Sequence, residues 1–381
     1  MKYFFLFIIF VTSFSIVSYE EAFDAVSVRV EKLNNDFFKE EVFPQYGDGS
    51  GMIKGEGIGW TGGFWCGMNW YHYLRNPEDA NLERARIWTD WLLQEAQEFD
   101  THDLGFLYHH SAVLAYELTG DKEYKLAALD AADRLLERMH PEAGVITLAP
   151  RWNDQTSADT TANLPLLAWA YDISGDKQYK EGIQKHLSNA LPYLIREDDS
   201  TYHAFSFDLE TGEVLWQGSI HNQGYSDESC WSRGHFWLAF GLLRIYQYGF
   251  EEYVDIAREL VEYALEFYEP GKLLWYDFKD PDPQWKDSSA VVLMAYCLQY
   301  LSEIYNDQQY QQKADEMIQT VISTSLDIDK ASPSAGVVGN CYYRQQQPEI
   351  EGFWGTYYFY EYLWEYGELE PLEVATWELY E

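Results

Sequence analysis

The sequence predicts an all-α protein, an (α/α)6 barrel in which six helical hairpins close into a toroid. Three observations predict it. Apolar residues recur at three- and four-residue spacing through about a dozen segments of the 381-residue chain. A short turn signature returns between those segments. No linker, low-complexity tract or composition break marks off a second domain.

The elements follow in order. Residues 1–18 read as a signal peptide: Lys2 gives the positive start, Phe4 to Val11 is unbroken apolar sequence, and Ser13, Ser15 and Ser18 offer small residues for cleavage. The apolar run is short for a membrane span and no stop-transfer segment follows. Secretion or export to a periplasm is the expectation, with an uncleaved anchor as the alternative. Residues 19–381 then read as one catalytic domain. Helical periodicity covers Ala22–Phe37, Phe64–Leu74, Leu82–Leu93, Leu107–Leu118, Tyr124–Met139 and Leu164–Ile173. It returns in Tyr179–Ile195, Trp231–Tyr248, Tyr253–Phe267, Val291–Ile304, Tyr310–Ile322 and Trp354–Leu363.

The turns explain how these helices pair. Gly120-Asp-Lys-Glu-Tyr124, Gly175-Asp-Lys-Gln-Tyr179 and Asn306-Asp-Gln-Gln-Tyr310 are near copies, and Gly249-Phe-Glu-Glu-Tyr253 is a looser one. Gly or Asn takes the left-handed cap that ends one helix. Asp caps the next, and Tyr opens its buried face. A repeated helix–turn–helix unit means stacked hairpins; an open solenoid is the alternative to a closed ring. These tight turns occupy one face. The longer connections then fall on the opposite face: His102-Asp103, Arg151 to Asp159, His203 to Gln223, Trp285 to Ser289, and Ala335 to Trp354. Within them, the stretch from Ser200 to Ser226 alternates at period two and predicts a short hairpin over a pocket.

Composition narrows the function. A net charge of −37 from 63 acidic and 26 basic residues disfavours nucleic acid and anionic membranes. The 15 Trp and 31 Tyr exceed what a core needs and suit a cleft lined with flat rings, which match the apolar faces of sugars. Cys66, Cys230, Cys297 and Cys341 lack metal-ligand spacing. Export would permit disulfides, while free buried thiols are expected for at least two of the four. No nucleophile elbow, phosphate loop or dinucleotide fingerprint is present. No metal and no cofactor are expected.

The carboxylates are the informative chemistry. Asp103 and Asp159 each stand at the mouth of an apolar, helix-forming run, where a carboxyl group can hold a proton near neutrality. Around them we group His102, His203, His221, Gln223, Arg233 and the tryptophans. Each has a bland reading: His102 and Asp103 as a helix-cap pair, Arg233 as a structural ion-pair partner, and Asp159 and Asp287 as N-caps.

Together the segments resemble the unsaturated glucuronyl hydrolases, glycoside hydrolase family 88. They are Trp60-Thr-Gly-Gly-Phe-Trp-Cys-Gly67, His102-Asp-Leu-Gly-Phe-Leu-Tyr108, Asp159-Thr-Thr-Ala-Asn-Leu-Pro-Leu-Leu167, Asp198-Asp-Ser-Thr-Tyr-His203, Gln223-Gly224, Trp231-Ser-Arg-Gly234 with Trp237, Asp287-Ser-Ser-Ala290 and Trp354-Gly-Thr-Tyr-Tyr358. The likeness runs from about residue 20 to about residue 365. It implies hydrolysis of oligosaccharides that end in a Δ4,5-unsaturated uronic acid, with no direct attack on the glycosidic bond. By the same likeness Asp159 is the acid/base, its pKa raised by apolar walls and an ionised Asp103. Asp103 holds the substrate and sets the charge. His102, His203 and Gln223 touch sugar or water. Trp60, Trp231 and Trp237 wall the pocket, with Arg233 on the leaving-sugar side. Gly63 and Thr356 depart from the family, where aspartate is common. The loop with Arg344 and Gln345 to Gln347 lacks the serine/lysine cluster some members use for sulfate, which points away from sulfated fragments. The readings to separate from this one are an unsaturated rhamnogalacturonyl hydrolase, a lyase on the same fold, and an inactive glycan-binding relative. The sequence does not fix the oligomeric state.

Overall fold

The computed structural model describes residues 17–47, 52–55, 57–327, 338–345, 347 and 349–369; the signal-peptide reading falls almost wholly outside them. Among the described residues no helix is long and apolar enough to cross a membrane.

Twelve helical stretches form two concentric rings. The inner ring is Gly62–Arg75, Leu104–Tyr108 continued through a π turn at His109–Val113 to Leu114–Thr119, Ala158–Asn163 with Pro165–Ser174, Ser232–Tyr246, Ser288–Tyr305, and Phe353–Tyr366. Each packs on the next, and the last packs on the first, so the ring closes and the solenoid alternative falls. The inner helices are buried nearly all round, as their continuous apolar sequence requires. The outer helices Tyr19–Phe37, Asp79–Ala96, Lys122–Glu137, Lys177–Leu194, Val254–Leu265 and Gln308–Ser325 each bury one stripe against an inner partner.

The turn signature does what its residues predict. Gly120, Gly175, Gly249 and Asn306 all have positive φ. Asp121, Asp176 and Asp307 cap the following helices by accepting the backbone N–H two residues on. The tyrosines add a link the sequence does not announce. Tyr124 donates to Asp90, Tyr179 to Asp133 and Tyr310 to Glu262, at 3.0, 2.7 and 3.0 Å. Each acid lies on the preceding outer helix of the ring, so the repeated Tyr stitches neighbouring hairpins together.

Two small sheets sit on the face of the long connections. Gln155–Ser157, Ala204–Phe207 and Val214–Gly218 form one antiparallel sheet, the predicted hairpin plus a third strand. Pro44–Gly47 joins Met52–Lys54 and Glu351–Gly352 in the other, which the sequence did not predict. All four cysteines are buried and free. Burial pushes the Cys230 and Cys341 thiols up to about 11, so neither is a nucleophile.

Candidate active site

Asp103 occupies the N-cap position of Leu104–Tyr108, and Asp159 lies in the first turn of Ala158–Asn163 behind the cap residue Ser157. Neither side chain makes a capping hydrogen bond. Both carboxyl groups instead line one cavity of about 320 Å³ among the long connections. The bland reading of each aspartate as a cap therefore fails, and a positively polarised helix start faces each carboxylate.

Strand pairing carries His203 onto Asp159. Ser157 pairs with Ala204, and the Ala158 N–H donates to the His203 carbonyl at 2.8 Å. His203 Nε2 then stands 3.1 Å from Asp159 Oδ2, and the Ile220 N–H donates to Nδ1 at 3.3 Å. A ring nitrogen that accepts carries no proton, so the His203 proton sits on Nε2 and is donated to Asp159. On the other carboxylate, His102 Nε2 lies 3.5 Å from Asp103 Oδ1, and its Nδ1 lies 2.8 Å from Thr160 Oγ1.

These contacts reverse one expectation. Burial pushes the Asp159 carboxyl up, but the His203 hydrogen bond and the electrostatic influence of His203, His102 and Arg233 outweigh it, so the pKa lies below the usual value. Asp103 is the raised one: burial dominates, the charge of Asp159 adds to it, and His102 and Thr101 oppose it only in part. The raised pKa expected of Asp159 thus belongs to its partner. The sequence could not show this, because His203 reaches Asp159 only through the sheet.

The two carboxylate-bearing segments are locked together by Asn163. Its Oδ1 accepts the Phe106 N–H at 2.6 Å and its Nδ2 donates to the Asp159 carbonyl at 3.0 Å. A Cβ on Gly105 would lie 2.3 Å from the Asn163 carbonyl oxygen, so only glycine lets the helices approach this closely.

Trp60, His102, His203, Gln223, Arg233 and Trp237 line the cavity as predicted. Trp60 stacks on Trp354 with ring centres 5.1 Å apart. Trp231 is a correction: it does not line the cavity but stands behind the wall, against His203 at 4.7 Å. There it orients the histidine and offers no face to a sugar. Arg233 combines both of its readings. It pairs with Asp287 at 2.8 Å, donates to the carbonyls of Tyr342 and Tyr343, and lies between the rings of Trp231 and Trp354. Its Nε is buried with no hydrogen-bond partner, which leaves one N–H for a ligand. Asp287 also accepts the Ser289 N–H, so it is the N-cap the sequence suggested as well as the arginine's counter-ion.

Sequence reasoning missed several lining groups. Ser157, 1 % exposed, has an unpartnered hydroxyl on the cavity wall. Arg151, Trp152, Tyr343 and Arg344 also line the cavity, as do His221, Thr101, Leu148, Ala149 and Ile220. The signal for Ser157 was its place two residues before Asp159, on the strand the alternating pattern did not include. Gly63 and Thr356, the two departures, lie outside the cavity lining. A Cβ at Gly63 would sit 2.0 Å from the Phe106 carbonyl oxygen, and Thr356 bonds Val338 and Gly352. Among the described residues no cluster of His, Cys, Asp and Glu is arranged to hold a metal ion.

The arrangement offers a paired acid and base, a fixed histidine donor, stacking rings and uncommitted N–H and O–H donors. The model of glycosyl hydrolase family 88 matches residues 30–369. The unsaturated chondroitin disaccharide hydrolase of Streptococcus pneumoniae is 31% identical over 363 residues, covering 90% of each chain. The crystal structure of the unsaturated glucuronyl hydrolase of Bacillus sp. GL1 superposes with a TM-score of 0.84 at 28% identity, over 91% of this chain and 96% of that one. A structure holding the saccharide dGlcA-Glc-Rha-Glc superposes equally, at 0.84 and 27% identity, over 91% of this chain and 96% of its own.

Proposed function

The chain belongs to glycosyl hydrolase family 88, and from that premise we propose how its two aspartates act on a Δ4,5-unsaturated uronic acid at the non-reducing end of an oligosaccharide. The protein is a hydrolase of such fragments. The C4=C5 bond is a vinyl ether conjugated to a carboxylate. A proton is delivered to C4, water adds at C5, and the resulting hemiketal opens to a 5-ketone. The hemiacetal left at C1 then collapses to an aldehyde and releases the second sugar. One water is consumed and the glycosidic bond is never attacked, so the carboxylate spacing that sorts retaining from inverting enzymes carries no information.

The observation that carries this reading is the His203-bound Asp159 beside Asp103 in one cavity. Asp159 is the more readily ionised of the two, and Asp103 more readily keeps a proton. Arrival of the substrate adds a second anion and removes water. Both changes push Asp159 up, so that it takes a proton, gives it to C4, and as carboxylate draws the proton from the attacking water. Arg233 Nε and the Ser157 hydroxyl are the free donors for the bound sugar. Trp60 and Trp237 supply its apolar walls.

We also propose that the protein acts outside the cytoplasm as a secreted or periplasmic enzyme, with residues 1–18 as its leader and 19–381 as its catalytic domain. Lys2 and the apolar run Phe4 to Val11 support this. Sequencing the N-terminus of exported protein checks it.

Lyase-generated unsaturated disaccharides test the activity. Their ultraviolet absorbance should fall on incubation, and in deuterium oxide the product should carry deuterium at C4. Asp159→Asn should remove turnover while the protein stays folded. A gain of absorbance from polymer would identify a lyase instead, and binding without change an inactive relative.

A further inference from the structure

The cavity carries an arginine with no assigned work. Arg151 is exposed on its rim and lies flat on Trp152, the guanidinium carbon 3.7 Å from the ring centre. Trp152 meets His221 edge to face at 4.7 Å, and all three line the cavity. His221 is fixed by a left-handed backbone, with φ of 59°, as is Asn222. The Asn222 carbonyl accepts the Gln345 N–H at 3.1 Å, which ties this loop to the opposite rim. Arg151 therefore rests on a braced platform, yet none of the ion pairs or hydrogen bonds of the described residues includes it. In a chain of charge −37, an exposed arginine on a cavity rim with no acid of its own invites an anion from outside.

Its position selects which anion. The arginine whose field reaches Asp159 is Arg233, 1 % exposed and beside the reacting carboxylates. Arg151 instead stands exposed on the rim, against Trp152, which meets His221. An anion at Arg151 thus lies at the cavity mouth, on the side from which the second sugar extends. Arg344, on the other wall, already gives its Nε–H to Gln347 at 2.8 Å. Arg151 keeps its full planar fork, the geometry that grips carboxylate or sulfate oxygens in pairs.

We propose that Arg151, seated on Trp152 and His221, is a specificity-determining residue that takes the anionic substituent of the second sugar, a carboxylate or a sulfate ester. This rests on the hydrolase reading above and deepens it. It sets beside the expectation of unsulfated fragments, drawn from the loop at Arg344 to Gln347, a cation supplied by a different segment.

The test uses the full-length exported enzyme and three unsaturated disaccharides whose second sugar is neutral, carboxylated or sulfated. Loss of absorbance gives kcat/KM for each. Wild type should prefer one or both anionic substrates, and the preferred arm names the anion. In Arg151→Gln the ratio of anionic to neutral kcat/KM should fall about tenfold, the size of one charge-assisted hydrogen bond, through KM. Arg151→Lys should recover part of it, and added salt should shrink the wild-type preference. An equal loss on all three substrates, or no change in the ratio, overturns the proposal. If wild type consumes none of the three, the hydrolase reading itself fails.

Discussion

His203 Nε2 stands 3.1 Å from Asp159 Oδ2 with its other nitrogen occupied by the Ile220 N–H, and this contact decides which of two neighbouring carboxylates ionises first. Replacing His203 by Ala removes the donor and leaves burial as the main influence on Asp159. Its pKa then rises, and the alkaline limb of the kcat/KM profile, set by loss of the proton that Asp159 must give to C4, moves to higher pH. Turnover should drop by at least about tenfold, as for other losses around a general acid–base group. The stability sign follows. A depressed Asp159 stabilises the fold above the unfolded carboxylate pKa, and that contribution disappears as pH falls through the folded value. In His203→Ala this pH-dependent part should be missing from denaturation curves; an unmoved alkaline limb sinks the assignment.

Asp103 should behave in the opposite way. Burial and the charge of Asp159 raise its pKa, so its ionised form costs the fold free energy. That cost is absent below the unfolded pKa and appears as pH rises through the folded one. Asp103→Asn should therefore be inactive but more stable at pH 7, with Tm about 2 °C or more higher. The gain should vanish near pH 3. A lower Tm at pH 7 would show that its contacts with Thr101 and His102 outweigh the strain.

How legible all this was depends on range along the chain. The helical hairpins were readable because the Gly/Asn-Asp-x-x-Tyr turn is local: cap, cap and first buried ring lie within five residues, and its near copies imply stacked hairpins, while closure into a ring shows only in the packing of the last inner helix on the first. Asp103 and Asp159 were readable as odd carboxylates for the same reason. Their relative pKa was not, since it hangs on a strand pairing that joins Ser157 to Ala204 across 47 positions. Trp231 fooled the reading because an aromatic next to a site residue can face the cavity or support it, and periodicity cannot tell which. Arg151 escaped because its significance is the absence of a partner, which only the folded chain reveals.

The Arg233–Asp287 pair is 1% and 0% exposed at the side chains, so removing one partner should strand a buried charge. Asp287→Asn should cost about 3–5 kcal/mol in denaturant unfolding. The double change Arg233→Met with Asp287→Leu should recover much of that, because matched apolar groups leave no lone charge. Activity should stay lost in the double variant, since Arg233 Nε and its field on Asp159 are gone. Recovery of both stability and turnover would reduce the arginine to a strut.

Asn163 makes the last case, because it lies outside the cavity lining and yet ties the two carboxylate segments together. Asn163→Leu keeps the volume but removes both side-chain bonds, leaving the Phe106 N–H unsatisfied in a buried place and the Asp159 carbonyl with its helical partner alone, a loss of about 1–3 kcal/mol. A purely structural role would end there. If Asn163 sets the distance between Asp103 and Asp159, kcat should also fall by roughly 10- to 100-fold with KM little changed, the response to a misplacement on the order of 1 Å. The mutual influence of the carboxylates should weaken as they separate, so Asp103 should titrate lower. That can be followed through the carboxyl carbon signal of labelled aspartate. Near-wild-type kcat in a folded Asn163→Leu protein would return the residue to the scaffold.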